Sequence, residues 1–143
     1  MTEQSSMGEF FWPISLPVRI LFIDDNPLFQ QVVTMKLEKA KYLKVVRAAN
    51  FTEDLNMLIE VLRPQVVLMD LGKLDLTRMG IIKAAKKKIT NIIVITMADQ
   101  DSPVARQSAR LAGSDEFMVK GEAITKLIPT LQRLLLEKEI KPS

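Results

Sequence analysis

The 143-residue chain contains no cysteine and no histidine. The first absence removes disulfides, thiolate nucleophiles and cysteine metal sites, and is compatible with a reducing cytosol. The second removes a histidine base, a Ser–His pair and most zinc sites. Charge of one sign is also scarce: the net +3 is mild, spread along the chain, and does not by itself imply nucleic acid. No apolar run approaches the length of a membrane span. Met1 to Pro17 lacks a basic n-region and carries Glu3 and Glu9, so it is a poor signal peptide. Any chemistry must therefore come from Asp, Glu, Lys, Ser, Thr or a bound metal.

What is present is enough apolar residue, 48%, for one domain with its own core. Five short runs rich in Val, Ile, Leu and Phe recur: Val18–Ile23, Leu43–Ala48, Gln65–Met69, Asn91–Thr96 and Glu116–Val119. They are continuous rather than alternating, which predicts parallel strands covered on both faces. Helix-length segments separate them. Asn26 and Pro27 supply an N-cap and an N1 proline ahead of Phe29, Val32, Val33 and Leu37. Asn50 and Glu53 suggest a capping box before Leu55, Leu58, Ile59 and Leu62. Ser102–Pro103 opens a further helix that Gly113 would close. A last helix is expected over about 122–137, buried along Leu127, Ile128, Leu131, Leu134 and Leu135, with a kink or late start at Pro129. The expected fold is a doubly wound α/β domain: a five-stranded parallel sheet in flavodoxin-like order 2-1-3-4-5, with helices on both faces. Residues 18–138 form that domain, 1–17 a leader that is flexible or a cloning remnant, and 139–143 a frayed end. Phe10, Phe11 and Trp12 are expected to pack on the domain.

The stretch "RILFIDDNP" raises a chemical question, because an apolar strand runs straight into two adjacent carboxylates. Neighbouring carboxylates repel and resist leaving water unless a cation compensates them. Ligand sites in such sheets lie beyond the carboxyl ends of the strands. There the order places Asp24 and Asp25 after strand 1, Asp70 after strand 3, Thr96 at strand 4 and Lys120 after strand 5. Three carboxylates suit a small hard dication such as Mg²⁺. A carboxylate beside that cation can attack phosphorus, with Lys120 and Thr96 steadying the other oxygens.

These residues resemble the receiver domain of two-component response regulators. "FIDDNP", "PQVVLMDL", "IIVITM" and "AGSDEFMVK" match that family's four motif blocks in order, over Val18 to about Leu136. The resemblance implies that Asp70 is the phosphoacceptor, fed by a histidine kinase or phosphotransfer protein. It implies Asp24, Asp25, Asp70 and the Gly72 carbonyl as Mg²⁺ ligands, Lys120 and Thr96 as assisting groups, and Thr96 with Phe117 as a switch pair. The aromatic ring would turn inward as Thr96 moves. The face of the fourth helix, fifth strand and fifth helix would change on activation and serve a homodimer. Met97 is similar to receivers that precede helix-turn-helix output domains. The implied protein is a cytoplasmic regulatory phosphoacceptor rather than a turnover enzyme, without direct nucleic-acid or membrane contact, either free-standing or part of a longer regulator. One departure stands out. "DLGKLDLTRMG" has Leu74 where the family usually has proline and its next glycine only at Gly80, so the loop takes another shape with Asp75 as an extra carboxylate nearby.

Two competing functions use the same residues. One is a degenerate receiver that signals without phosphate. The other is a Mg²⁺-dependent phosphohydrolase with its nucleophile at strand 1, although the second acid such enzymes carry two residues on is here Pro27. The run "KAAKKK", Lys83 to Lys88, reads as a solvated helix face. Arg106 and Arg110, one helical turn apart, are candidates for a partner face.

Overall fold

The computed structural model describes residues 10–72 and 75–142. The Leu74 departure and the first nine residues of the expected leader lie outside the described residues. Strands and helices alternate: β1 (Val18–Ile23), α1 (Pro27–Glu38), β2 (Leu43–Ala49), α2 (Leu55–Leu62), β3 (Val66–Asp70), α3 (Leu76–Lys88), β4 (Ile93–Ala98), α4 (Pro103–Ala112), β5 (Glu116–Val119) and α5 (Lys120–Glu137). All strand pairings are parallel and the order is β2-β1-β3-β4-β5, as the apolar runs predicted.

Each strand feeds both faces by its period of two. Ile20, Phe22, Val66, Leu68, Ile93 and Ile95 join α1 and α5 in one core. Leu21, Ile23, Val67, Met69 and Val94 join α2, α3 and α4 in the other. With helices on both faces, the central strands β1, β3 and β4 are almost wholly apolar until their ends, whereas the edge strand β2 admits Lys44 and Arg47.

Side-chain caps start α1 to α4, while α5 follows β5 without one. Asn26 accepts from the Phe29 N–H and Ser102 from the Ala105 N–H, and Gly113 closes α4 at φ +116°. At α2 the expected box sits one turn too early. Glu53 accepts from the Asn50 N–H and Asn50 from the Thr52 N–H, which closes a turn, while Asp54 caps the helix through the Met57 N–H. Val32 lies on the exposed side of α1 rather than in its buried stripe. The last helix starts at Lys120 and runs through Pro129, so there is no late start.

At the start of the domain two of the three expected aromatics pack on it, while Phe11 is exposed. Phe10 and Trp12 are buried in the α1/α5 core, and the Trp12 indole N–H donates to the Leu16 carbonyl at 2.7 Å. At the other end Glu139 turns the chain with φ +52°. Ile140 then donates to the Leu135 carbonyl at 3.1 Å and packs on the core.

Candidate functional site

Register explains why distant residues meet. Ile23 pairs with Met69 and Met69 with Thr96, so Asp24 and Asp70 leave adjacent strands at the same level. Lys120 arrives on the first residue of α5, directly after β5. Its ammonium lies 2.8 Å from Asp24 Oδ2 and 3.3 Å from Asp70 Oδ1. It also stands 4.7 Å from the centroid of the Phe29 ring. Asp24 is only 1% exposed; its Oδ1 accepts from the Asn26 N–H at 2.8 Å. Asp25 is more open and its Oδ1 accepts from the Phe51 N–H at 2.9 Å.

Burial pushes the Asp24 carboxyl above its ordinary 3.8, and the charge of Asp70 adds to this. The hydrogen bonds from Lys120 and the Asn26 N–H oppose it without cancelling it. Burial pulls the Lys120 ammonium down, but its hydrogen bond to Asp24 and the charges of Asp70 and Asp24 outweigh that and hold it above 10.5. It is a fixed cation at any ordinary pH.

The structure brings together Asp24, Asp25, Asp70 and Lys120. It does not bring in the Thr96 hydroxyl. Thr96 is wholly buried, and its Oγ1 lies 3.0 Å from Ser114 Oγ and 3.3 Å from the Glu116 carbonyl, turned toward β5. Phe117, expected to swing inward, is already inside at 6% exposed, with the Arg106 guanidinium 4.8 Å from its ring centroid. Arg106 also pairs with Asp101 at 3.0 Å, and Arg110 donates to Gln107. Asp75 serves as the N-cap of α3, accepting from the Thr77 N–H at 2.7 Å. Within the lysine run, Lys86 departs from a solvated face by donating to the Ile92 carbonyl and pairing with Asp115.

One residue of the site went unnoticed in the sequence. Arg78, on the first turn of α3, lies 3.2 Å from Asp70 Oδ2 and 3.7 Å from Asp25 Oδ2. It also donates to the Asp70 carbonyl at 3.2 Å and stacks 3.7 Å from the centroid of Phe51. Gly72, at φ +57°, gives its N–H to Asp70 Oδ1, and a Cβ there would strike the Arg78 guanidinium. A sequence signal existed. An arginine in the first turn of α3 opposes the helix dipole, and beyond the N-cap Asp75, spent on the Thr77 N–H, no acid stands there to offset it.

The donor chemistry fits a small hard dication, with carboxylate oxygens from three residues at one rim. The arrangement, however, spends those oxygens on protein cations. Asp24 is engaged by Lys120, and Asp25 and Asp70 both face Arg78. Among the described residues no three acidic groups converge closely enough to ligate one ion.

Comparison with known proteins bears on the family and the fold. The family model described as "Response regulator receiver domain" matches residues 20–132. The chain is 27% identical over 123 residues to the response regulator GacA of Pseudomonas aeruginosa, covering 82% of this chain and 55% of GacA. It is 28% identical over 110 residues to protein-glutamate methylesterase/protein-glutamine glutaminase 5 of Myxococcus xanthus, covering 76% of this chain and 31% of that enzyme. The chain thus spans about half, or less, of these relatives. Among solved structures, a LuxR-family two-component response regulator from Aurantimonas sp. SI85-9A1 superposes with a TM-score of 0.73 at 17% identity, over 85% of this chain and 86% of that one. An atypical orphan response regulator, described as having a phosphorylation-independent mechanism, superposes with a TM-score of 0.69 at 18% identity over 87% and 98%. Among the described residues no helix is long and apolar enough to cross a membrane.

Proposed function

Because the chain belongs to the response regulator receiver domain family, we propose that Asp70 accepts a phosphoryl group from a histidine kinase or phosphotransfer protein and that this changes the domain's affinity for its partners. One observation carries the reading: the Lys120 ammonium bridges Asp24 and Asp70 at one rim of the sheet. The Asp70 carboxylate forms the new O–P bond while the bond from phosphorus to the donor's histidine nitrogen breaks, its electron pair leaving with that nitrogen. Lys120 meets the charge gathering on one phosphoryl oxygen and holds Asp70 in line. Asp24, Asp25, Asp70 and the Gly72 carbonyl are the groups that would hold Mg²⁺. When bound, Mg²⁺ supplies neutralising charge to the equatorial oxygens.

The switch follows from the Thr96 hydroxyl leaving Ser114 and the Glu116 carbonyl for the phosphoryl oxygen. Phe117, next to it in register and covered by Arg106, would move with it. This would remodel the α4–β5–α5 face, where Val104 and Leu111 are exposed, as a surface for a second copy. The site serves regulation rather than turnover, and a cytoplasmic setting goes with a kinase partner and a cysteine-free chain.

Acetyl phosphate with Mg²⁺ tests the acceptor directly by mass spectrometry of the intact chain. A single phosphoryl increment is expected, lost in Asp70→Asn and slowed on the order of 10²-fold in Lys120→Ala. A second reading has its own observation: Arg78 already pairs with Asp70 and Asp25, as suits a domain that signals without phosphate. No adduct on the wild-type chain, or one that persists in Asp70→Asn, would favour it.

A further inference from the structure

Arg78 places a positive charge where the two outer carboxylates point. Its contacts come from three sides: Asp70 through side chain and carbonyl, Asp25 through Oδ2, and the Phe51 ring beneath. The side chain is 17% exposed, so these pairs are partly shielded from water and salt. Gly72 leaves room for the guanidinium where any side chain would block it. Counting formal charges, Asp24, Asp25 and Asp70 against Lys120 alone leave −2, whereas adding Arg78 leaves −1. The attraction available to a dication is thereby roughly halved.

We propose that Arg78 is a tethered counter-cation seated between Asp25 and Asp70, so that a divalent ion enters only by exchange with the guanidinium, which then leaves Phe51. This rests on the reading of Asp24, Asp25 and Asp70 as the Mg²⁺ site and adds to it a competitor built into α3. Two consequences follow from one equilibrium. Mg²⁺ affinity is set by the strength of the Arg78 contacts, and Mg²⁺ binding moves the Arg78–Phe51 pair even without phosphate. The exchange also couples the acid pocket to the first turn of α3, and so to the surface that helix presents.

Isothermal titration of the metal-free full chain with MgCl₂ measures the first consequence. Arg78→Gln, which keeps much of the side chain's length but removes its charge, is expected to bind Mg²⁺ roughly tenfold more tightly than wild type, about 1.4 kcal/mol. Phe51→Leu, which removes the stacking on Arg78 and keeps an apolar side chain against the core, is expected to bind about threefold more tightly. NMR of the Arg78 Nε–H measures the second. In wild type its resonance should move with the same Mg²⁺ midpoint as the heat, a test that needs no variant to fold. Mg²⁺ binding with equal affinity in wild type and Arg78→Gln, or with an unmoved Arg78 resonance, overturns the exchange and leaves the metal site standing. Binding by neither protein overturns both.

Discussion

Asp24 shows what a receiver site costs its own fold. Its carboxyl is 1% exposed and burial holds its pKa above 3.8 despite Lys120 and the Asn26 N–H. Between the unfolded value and the raised folded value, the native state keeps a proton that the unfolded chain has lost. Stability therefore falls as pH rises through that window and stays lowered above it. Asp24→Asn removes the penalty while Lys120 keeps Asp70 as partner. The variant should be more stable than wild type near neutral pH, on the order of 1 kcal/mol, with the gap closing as pH falls from the raised folded value to the unfolded one. Urea unfolding across that range checks it, and a variant less stable at neutral pH would show that the Lys120 contact outweighs burial. Lys120 has the opposite sign: its contribution is complete below 10.5 and is lost only as pH climbs through its raised folded value. At this scale the sequence revealed Asp24, Asp25, Asp70 and Lys120, because strand order alone carries residues that follow strands to one rim. It did not reveal Arg78 or the orientation of Thr96. Both depend on side-chain partners, Phe51 and Ser114, that lie in other loops and have no fixed spacing from the residues they hold.

Among the elements, the edge of the sheet opposite the acids has its own charge cluster. Asp115, just before β5, accepts from the Val94 N–H at 2.8 Å and pairs with Lys86 of α3 and with Lys138 after α5. One carboxylate thus ties two helices to β4. Burial lowers the Lys86 ammonium below 10.5, and the attraction of Asp115 only partly restores it. Removing the acid would leave a half-buried cation and an unpaired backbone N–H. Asp115→Ala is therefore expected to destabilise the domain by about 2–4 kcal/mol, and Asp115→Asn by less, since its amide oxygen can still accept from Val94. Chemical denaturation of both variants checks the ranking; equal losses would mean that the Val94 bond contributes little. The strands and most caps were legible because each rests on local chemistry: an apolar run, an Asn–Pro or Ser–Pro pair, a glycine at positive φ. The α2 boundary was misplaced because Asn50 and Asp54 are both competent caps. Only the Asn50–Glu53 turn, which spends Asn50 on Thr52, decides between them.

At the scale of the whole molecule, the domain is larger than its family frame. The family match begins at residue 20, yet Phe10 and Trp12 are buried in the α1/α5 core. Phe10 lies 5.1 Å, ring to ring, from Tyr42, whose hydroxyl accepts from Gln132 of α5 at 2.7 Å. The segment therefore joins the start of β1 to β2 and α5, at the edge away from the acids that follow β1. An indole at 2% exposure removes a large apolar surface from water. Trp12→Ala is expected to cost about 3–5 kcal/mol, a large share of the 5–15 kcal/mol that holds an ordinary domain folded. Trp12 is also the sole tryptophan, so its emission in the wild-type chain should shift red in a single step with global unfolding. Because the segment and the acid pocket occupy opposite edges, Mg²⁺ affinity in the folded fraction of Trp12→Ala should equal that of wild type. A stable Trp12→Ala protein would mean that residues 10–17 only rest on the core. A folded variant with altered Mg²⁺ affinity would mean that the two edges are coupled through β1.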